Sequence, residues 1–159
     1  MSDTNEPNAG AQQPPQPAIN ILVQYIKDLS FENPNAPATL RPSQQQPQLD
    51  INVNVNATKH EDNQYEVTLT LEAKAVNGGT AMFAVELVYC GIFRIQGVPE
   101  EHMHPFVLIE CPRMLFPFAR QILSDCTRNG GFPPLMIDPI DFAALYRQNM
   151  AQGNTQPLN

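Results

Sequence analysis

His102, His104 and Cys111 are the residues of this chain whose types best suit metal chemistry, since imidazole and thiolate are the common ligands of zinc. Their spacing matches no zinc-binding pattern, and the stretch EHMHPFVLIE around Pro105 is expected to be a loop. Cys90, Cys111 and Cys126 stand in the apolar settings YCGIF, ECPRM and SDCTR, where cysteine behaves as a small hydrophobe, and only Cys111 precedes an expected helix start. Asp138 and Asp141 in IDPID could pair for acid and base work, but an aspartate ahead of an apolar run is also the ordinary helix N-cap. Gly78–Gly79 and Gly130–Gly131 lack the strand-to-helix setting and the Lys-Ser/Thr pair of a phosphate-binding loop. No GxSxG, HExxH or calcium-binding loop is present, so the chain is expected to be neither an enzyme nor the holder of a metal or cofactor.

The elements that must carry these residues follow from hydrophobic periodicity. INILVQYI, from Ile19 to Ile26, reads as a first strand that KDLSFENPNAP stops, and the Pro- and Gln-rich residues from Ala38 to Gln48 read as a long crossover. In LDINVNVNAT, Leu49, Ile51, Val53, Val55 and Ala57 alternate with polar partners, and YEVTLTLEAKA repeats the pattern. Asn77, Gly78 and Gly79 make the next turn, after which TAMFAVELVYCGIF reads as the fourth strand of an antiparallel meander. CPRMLFPFARQILSDCTRNGG has a proline just inside its start and a glycine pair past its end, a helix signature. FPPLMIDP is a connection, and Asp141 caps a second helix in IDFAALYRQNM. The fold class is therefore α+β, a four-stranded antiparallel sheet followed by two helices in one domain over residues 19–150. Residues 1–18, rich in Pro, Gln and Asn, are expected to form a disordered arm, and residues 151–159 a flexible tail.

A formal net charge of -7 repels phosphate backbones, which excludes nucleic acid as a partner and favours basic segments of other proteins. Three cysteines without a CxxC pair fit a reducing compartment. The first residues lack the basic and apolar regions of a secretory signal, and Glu86, Arg94 and Glu110 interrupt every candidate membrane span. A cytoplasmic protein that does not insert into membranes is expected.

The fourth strand carries more apolar side chains than a strand with one wet face requires. Phe83, Val85, Leu87 and Tyr89 alternate with Met82, Ala84, Glu86 and Val88, so only Glu86 is charged on the face that should be polar. Such excess indicates oligomer contacts or a binding surface.

The strings KDLSFENPNAP, YEVTLTLEAKA, GIFRIQGV, CPRMLFPFARQ and GGFPPLMIDPIDFAALY occur in the order and spacing of one family. From about Ile19 to Tyr146 the chain resembles the SecB family of protein-export chaperones. The resemblance implies a homotetramer, a dimer of dimers in which the sheets of two subunits combine and the long helices pack between layers. It also implies a holdase that works without nucleotide, binding unfolded precursor proteins and passing them to the SecA motor ATPase. Carried over residue by residue, the SecA contact falls on Asp28, Glu32, Ala84 and Glu86. The client groove falls on Leu49, Ile51, Val53, Phe83, Val85, Leu87 and Phe142. Two positions depart from the family's habit: a larger aliphatic residue is common where Ala84 stands, and a glycine pair where this chain has Cys90 and Gly91. The alternative readings are a dedicated single-partner chaperone or structural assembly subunit, and a small-ligand binder that uses the sheet as a pocket.

Overall fold

The strand with almost no polar face owes its composition to its place in the sheet. In the computed structural model, which describes Gly10, Gln13, residues 16–154 and residues 157–158, β1 (Ala18–Glu32), β2 (Gln48–Lys59), β3 (Gln64–Asn77) and β4 (Thr80–Gln96) form one antiparallel sheet. The strand order is β1-β4-β3-β2, so β4 is hydrogen-bonded along both edges. The expected four-strand meander is corrected here. β2, β3 and β4 do follow one another, but β1 returns to the far side of β4 because the residues between Glu32 and Gln48, with a 3-10 turn at Ala38–Leu40, cross the end of the sheet.

β3 alternates as its sequence requires, with Tyr65, Val67, Leu69, Leu71 and Ala73 each at most 2% exposed and facing the helices. The β3–β4 hairpin turns on Gly78 (φ 57°) and Gly79 (φ 82°), left-handed positions that glycine adopts without steric cost. β1 is longer than expected and runs through KDLSFE to Glu32. Register shifts between Ile21 and Val23 and between Ile26 and Asp28 explain why its periodicity is hidden. Each bulge flips the alternation, so the residues paired with the helix-side positions of β4 are Ile19 and Ile21, then Gln24 and Ile26, then Leu29 and Phe31.

Helix α1 (Glu100–Asn129) packs across the sheet, and α2 (Phe142–Ala151) packs against α1. The stretch EHMHPFVLIE, expected to be a loop, is the first third of α1, and His102 and His104 are helical. Pro105, Pro112 and Pro117 all lie inside the helix, where an interior proline costs about 3 kcal/mol. Met103, Val107, Leu108, Cys111, Leu115, Phe116, Ala119 and Leu123 are buried at three- and four-residue spacing along one stripe. Each large apolar side chain in that stripe contributes about 1.5–3 kcal/mol, so burial outweighs the proline penalty. α2 begins as expected, with the Asp141 carboxylate accepting a hydrogen bond from the Ala144 amide at 3.0 Å.

Ala18 opens β1, and the rest of the expected N-terminal arm, apart from Gly10, Gln13, Gln16 and Pro17, lies outside the described residues. In the expected tail, Ala151 closes α2 and Leu158 packs against the core, while residues 155, 156 and 159 lie outside the described residues. The register of α1 makes a stability prediction. Leu115→Ala, at a position with 0% exposure, lowers the unfolding free energy by about 2–5 kcal/mol. Arg113→Ala, two residues earlier on the solvent side, costs under about 1 kcal/mol, because its ion pair with Glu110 is exposed. Equal losses in chemical denaturation would disprove this register.

Candidate functional site: an apolar groove and an acidic sheet face

Two surfaces lie on opposite sides of β4. On the helix side, where β2 starts and β3 ends, the segment after α1 folds back and leaves an apolar cavity of about 210 Å³. Pro47 and Leu49 come from the start of β2, Met82 and Phe83 from the start of β4, and Phe132 to Met136 from the chain between the helices. None of the lining residues is charged. The Phe83 ring lies 5.1 Å from that of Phe132 and 6.2 Å from that of Phe31, which makes a short aromatic floor.

Sequence explains why these pieces meet. The Asn33 side-chain amide donates to the Gly130 carbonyl at 2.9 Å, and the Asn35 side-chain amide donates to the Ala81 carbonyl at 2.8 Å. A Cβ on Gly130 would lie 2.5 Å from the Phe31 ring, so only glycine admits that ring beside the end of α1. The strings FENPNAP and NGGFPP are thus two halves of one joint. Thr127, fully buried, fixes the far wall: its hydroxyl bonds to the Leu123 and Ser124 carbonyls and accepts the Leu135 amide at 2.9 Å. Pro133 and Pro134, with fixed φ angles and no amide donors, hold the segment between these anchors stiffly.

Of the residues expected in a groove, Leu49 and Phe83 line this cavity. Ile51 and Val53 continue from Leu49 along the same face of β2 and are partly buried. The structure does not bring Val85, Leu87 or Phe142 to the cavity. Val85 and Leu87 are closed into the core because α1 covers the middle of β4, and Phe142 is wedged between the helices with its ring 6.0 Å from Phe116. The reading of FPPLMIDP as a mere connection missed Phe132, Pro133, Pro134, Leu135 and Met136. Their signal was present: FPPLMI is a loop without a polar side chain, which a solvated loop has no reason to be.

The other face of the sheet is acidic. Strand register sets Ser30 and Glu72 on either side of Glu86, and Glu32 and Lys74 on either side of Ala84, with Asp28 opposite Val88. Residues directly opposed across antiparallel strands share a face, so Asp28, Glu32, Ala84 and Glu86 all point away from the helices. Ser30, Glu32, Glu72, Lys74, Ala84 and Glu86 surround a shallow cavity of about 170 Å³. Glu72 and Lys74 were not singled out in the sequence, although the alternation of β3 already placed them outward. Directly opposed carboxylates such as Glu72 and Glu86 repel, a cost that a basic partner would relieve. Further along this face Tyr25 reaches over the small Cys90 and donates to the Glu66 carboxylate at 2.9 Å, and Lys27 lies 3.4 Å from the same group. The Tyr25 bond, helped by Lys27 and opposed by partial burial, holds Glu66 below the usual carboxylate range.

The candidates for chemistry are otherwise engaged. Burial pushes the Cys111 thiol up to about 12 and raises that of Cys126 as well, so both stay protonated and non-nucleophilic at neutral pH. His104 Nδ1 lies 2.7 Å from the Tyr146 hydroxyl, tying α1 to α2. Among the described residues no group of three or more His, Cys, Asp or Glu side chains is placed to hold a metal ion, and no helix is long and apolar enough to cross a membrane.

Comparison with known proteins identifies the family. Residues 12–153 match the model of the family described as preprotein translocase subunit SecB. The protein-export protein SecB of Rhodopseudomonas palustris strain HaA2 is 54% identical over 156 residues, covering 98% of each chain. That of Brucella anthropi is 61% identical over 137 residues, covering 86% of this chain and 84% of its own. Among solved structures, a SecB-like chaperone of Mycobacterium tuberculosis, in complex with a peptide from an antitoxin, superposes with a TM-score of 0.64 at 14% identity. That match covers 77% of this chain and 90% of the other, and at this identity it speaks for the fold alone.

The groove wall can be tested through its anchor. Thr127→Val keeps the shape but removes the acceptor of the Leu135 amide, and is expected to cost about 1–3 kcal/mol, with faster amide exchange at Leu135. Unchanged exchange would show that the segment is held by other contacts.

Proposed function

From the premise that the chain belongs to the SecB family, a family of protein-export chaperones and not of enzymes, we propose that it is a nucleotide-independent holdase of the cytoplasm. It binds unfolded precursor proteins, keeps them competent for translocation and delivers them to the SecA motor. The observation that carries this reading is the pair of surfaces on the two sides of β4, one apolar and uncharged, the other acidic.

Unfolded chains share apolar side chains but no common sequence, and a groove walled by Leu, Phe, Met and Pro recognises that common property. Leu49, with Ile51 and Val53 along β2, forms its accessible part, the buried Phe83 ring its floor, and Val85, Leu87 and Phe142 support it from the core. Capture of apolar segments slows folding and aggregation without chemistry, since both require those segments to be free. The acidic face, with Asp28, Glu32 and Glu86 around Ala84, receives a basic segment of SecA, where complementary charge raises the association rate and selects the partner. Ala84 leaves the centre of this face shallow, so Glu72 and Lys74 contribute to the contact more than an aliphatic side chain does.

The homotetramer, a dimer of dimers, has support in apolar surface that one chain leaves open. The edge strand β1 exposes Leu22, Val23, Ile26 and Leu29, and α1 exposes Met114 and Phe118 one turn apart. Several grooves on one assembly hold a long client through effective concentration. The second reading, a chaperone dedicated to one partner, draws on the antitoxin peptide bound to the mycobacterial SecB-like chaperone. Binding to several unrelated unfolded proteins excludes it.

The test is to mix the purified protein, without nucleotide, with a chemically unfolded, slowly refolding export precursor and with its folded form. A complex with the unfolded form alone, at about one client per tetramer, is expected. Leu49→Glu is expected to weaken capture about tenfold while sparing the motor contact. Glu86→Lys is expected to weaken SecA binding about tenfold at low salt, less at high salt, while sparing capture. Capture untouched by Leu49→Glu would sink the groove assignment, and loss of the oligomer in Glu86→Lys would make the acidic face a structural one.

A further inference from the structure

The apolar groove contains an oxidisable wall. Met136 lines the cavity and is 62% exposed, the most open large apolar side chain among the described residues. Its backbone is fixed on the N-terminal side by Pro133, Pro134 and the bond from the Leu135 amide to Thr127. Its sulfur is fixed as well: the hydroxyl of Ser124, a buried residue of α1, donates to Met136 Sδ at 3.5 Å. The side chain is thus open to solvent at a defined place, with a hydrogen-bond donor beside its sulfur. Met82, half-buried, is the other methionine lining the cavity. Met114 and Met150 are also exposed but line no part of it, and Met103 is buried.

We propose that Met136 is a reversible modification site, whose conversion to the sulfoxide by a peroxide closes the groove to apolar segments. The inference rests on the reading of this groove as the client site. In the reaction a sulfur lone pair attacks one peroxide oxygen, the S–O bond forms as the O–O bond breaks, and the departing oxygen leaves as water after taking up the peroxide's protons. Sulfur loses two electrons and the peroxide gains them, so no other co-reactant is needed. The product replaces a polarizable apolar atom in the wall with a strong acceptor. The Ser124 hydroxyl, which finds only a weak acceptor in the thioether, supplies a donor for that oxygen and favours the oxidised state. An apolar client segment settling on this wall would strip water from the sulfoxide without offering it a hydrogen bond, so binding weakens. Thiol oxidation cannot serve in its place, because Cys90 and Cys111 are buried and Cys126 lies outside the cavity.

The experiment treats the full chain with hydrogen peroxide, maps sulfoxide at each methionine by mass spectrometry, and measures capture of an unfolded precursor before treatment, after it, and after a methionine sulfoxide reductase. Oxidation of the wild-type chain is expected to weaken capture about tenfold, with recovery after reduction, and Met136→Gln is expected to mimic the loss without oxidant. Met136→Leu is expected to stay within about twofold of its own untreated capture after peroxide, whereas Met114→Leu/Met150→Leu remains as sensitive as wild type. Full oxidation at Met136 with unchanged capture, or equal loss in Met136→Leu, would overturn the proposal. If the untreated chain captured no precursor, and Leu49→Glu changed nothing, the groove reading itself would fall and this inference with it.

Discussion

The constraint on which this structure depends is that β4 must be central and still leave one face uncovered. Hydrogen bonds to β1 and β3 satisfy its backbone along both edges, but a single long helix can cover only one side of a four-stranded sheet. The side under α1 takes Phe83, Val85, Leu87 and Tyr89, all buried, and is the core. On the other side, half-buried Ala84 and Val88 and exposed Glu86 make a smooth surface with charge at its centre. A strand that reads as apolar on both faces is therefore not a strand buried on both faces. It is one whose open face carries small and charged side chains between two hydrogen-bonded neighbours.

The same arrangement dictates the length of α1. A helix starting where its proline signature begins, near Cys111, would leave the core that holds Tyr65, Phe93 and Ile95 without Met103 and Val107. Extending the helix back to Glu100 brings Pro105 and Pro112 into its interior, and the burial gained exceeds the backbone bonds lost. Proline is a strong local signal and a weak global one, and here the global term wins. At its other end the helix stops on Gly130 and Gly131, and because the first of these has no side chain, Phe31 can stack toward Phe83 and close the floor of the groove. Helix termination and groove formation are one event.

What was legible in the sequence was what depends on local periodicity. β2 and β3 alternate without interruption, Gly78 and Gly79 of the hairpin turn sit at positive φ, and Asp141 caps α2, so each could be read from a few adjacent residues. What was hidden depends on partners distant in the chain. The two bulges of β1 scramble its alternation, which is why Asp28 and Glu32 could be placed on the sheet only by resemblance. Val85, Leu87 and Phe142 were placed in the groove by the resemblance alone, and a sequence reveals that a side chain is apolar but not which apolar neighbour reaches it first. The Phe132–Met136 wall was hidden for the opposite reason: its prolines marked a connection, and the absence of polar side chains there was outweighed by that signal.

The separation of the two surfaces also limits how they can communicate. The acidic cavity and the apolar groove draw on neighbouring residues of β4, Ala84 and Glu86 on one side, Phe83 on the other. Alternation sends these side chains to opposite faces of a strand held by hydrogen bonds on both edges, so a partner on the acidic face cannot displace a client by direct contact. Any coupling must pass through a shift of β4 against its neighbours or around the end of the sheet. The second route is short, because β1 carries Glu32 on the acidic side and, one residue earlier, Phe31 against Phe83 on the groove side. The joint made by Asn33 and Gly130 follows directly, so a partner that tugs on the end of β1 pulls at the floor and the frame of the groove together. This junction is the shortest physical link between the acidic face and the groove floor.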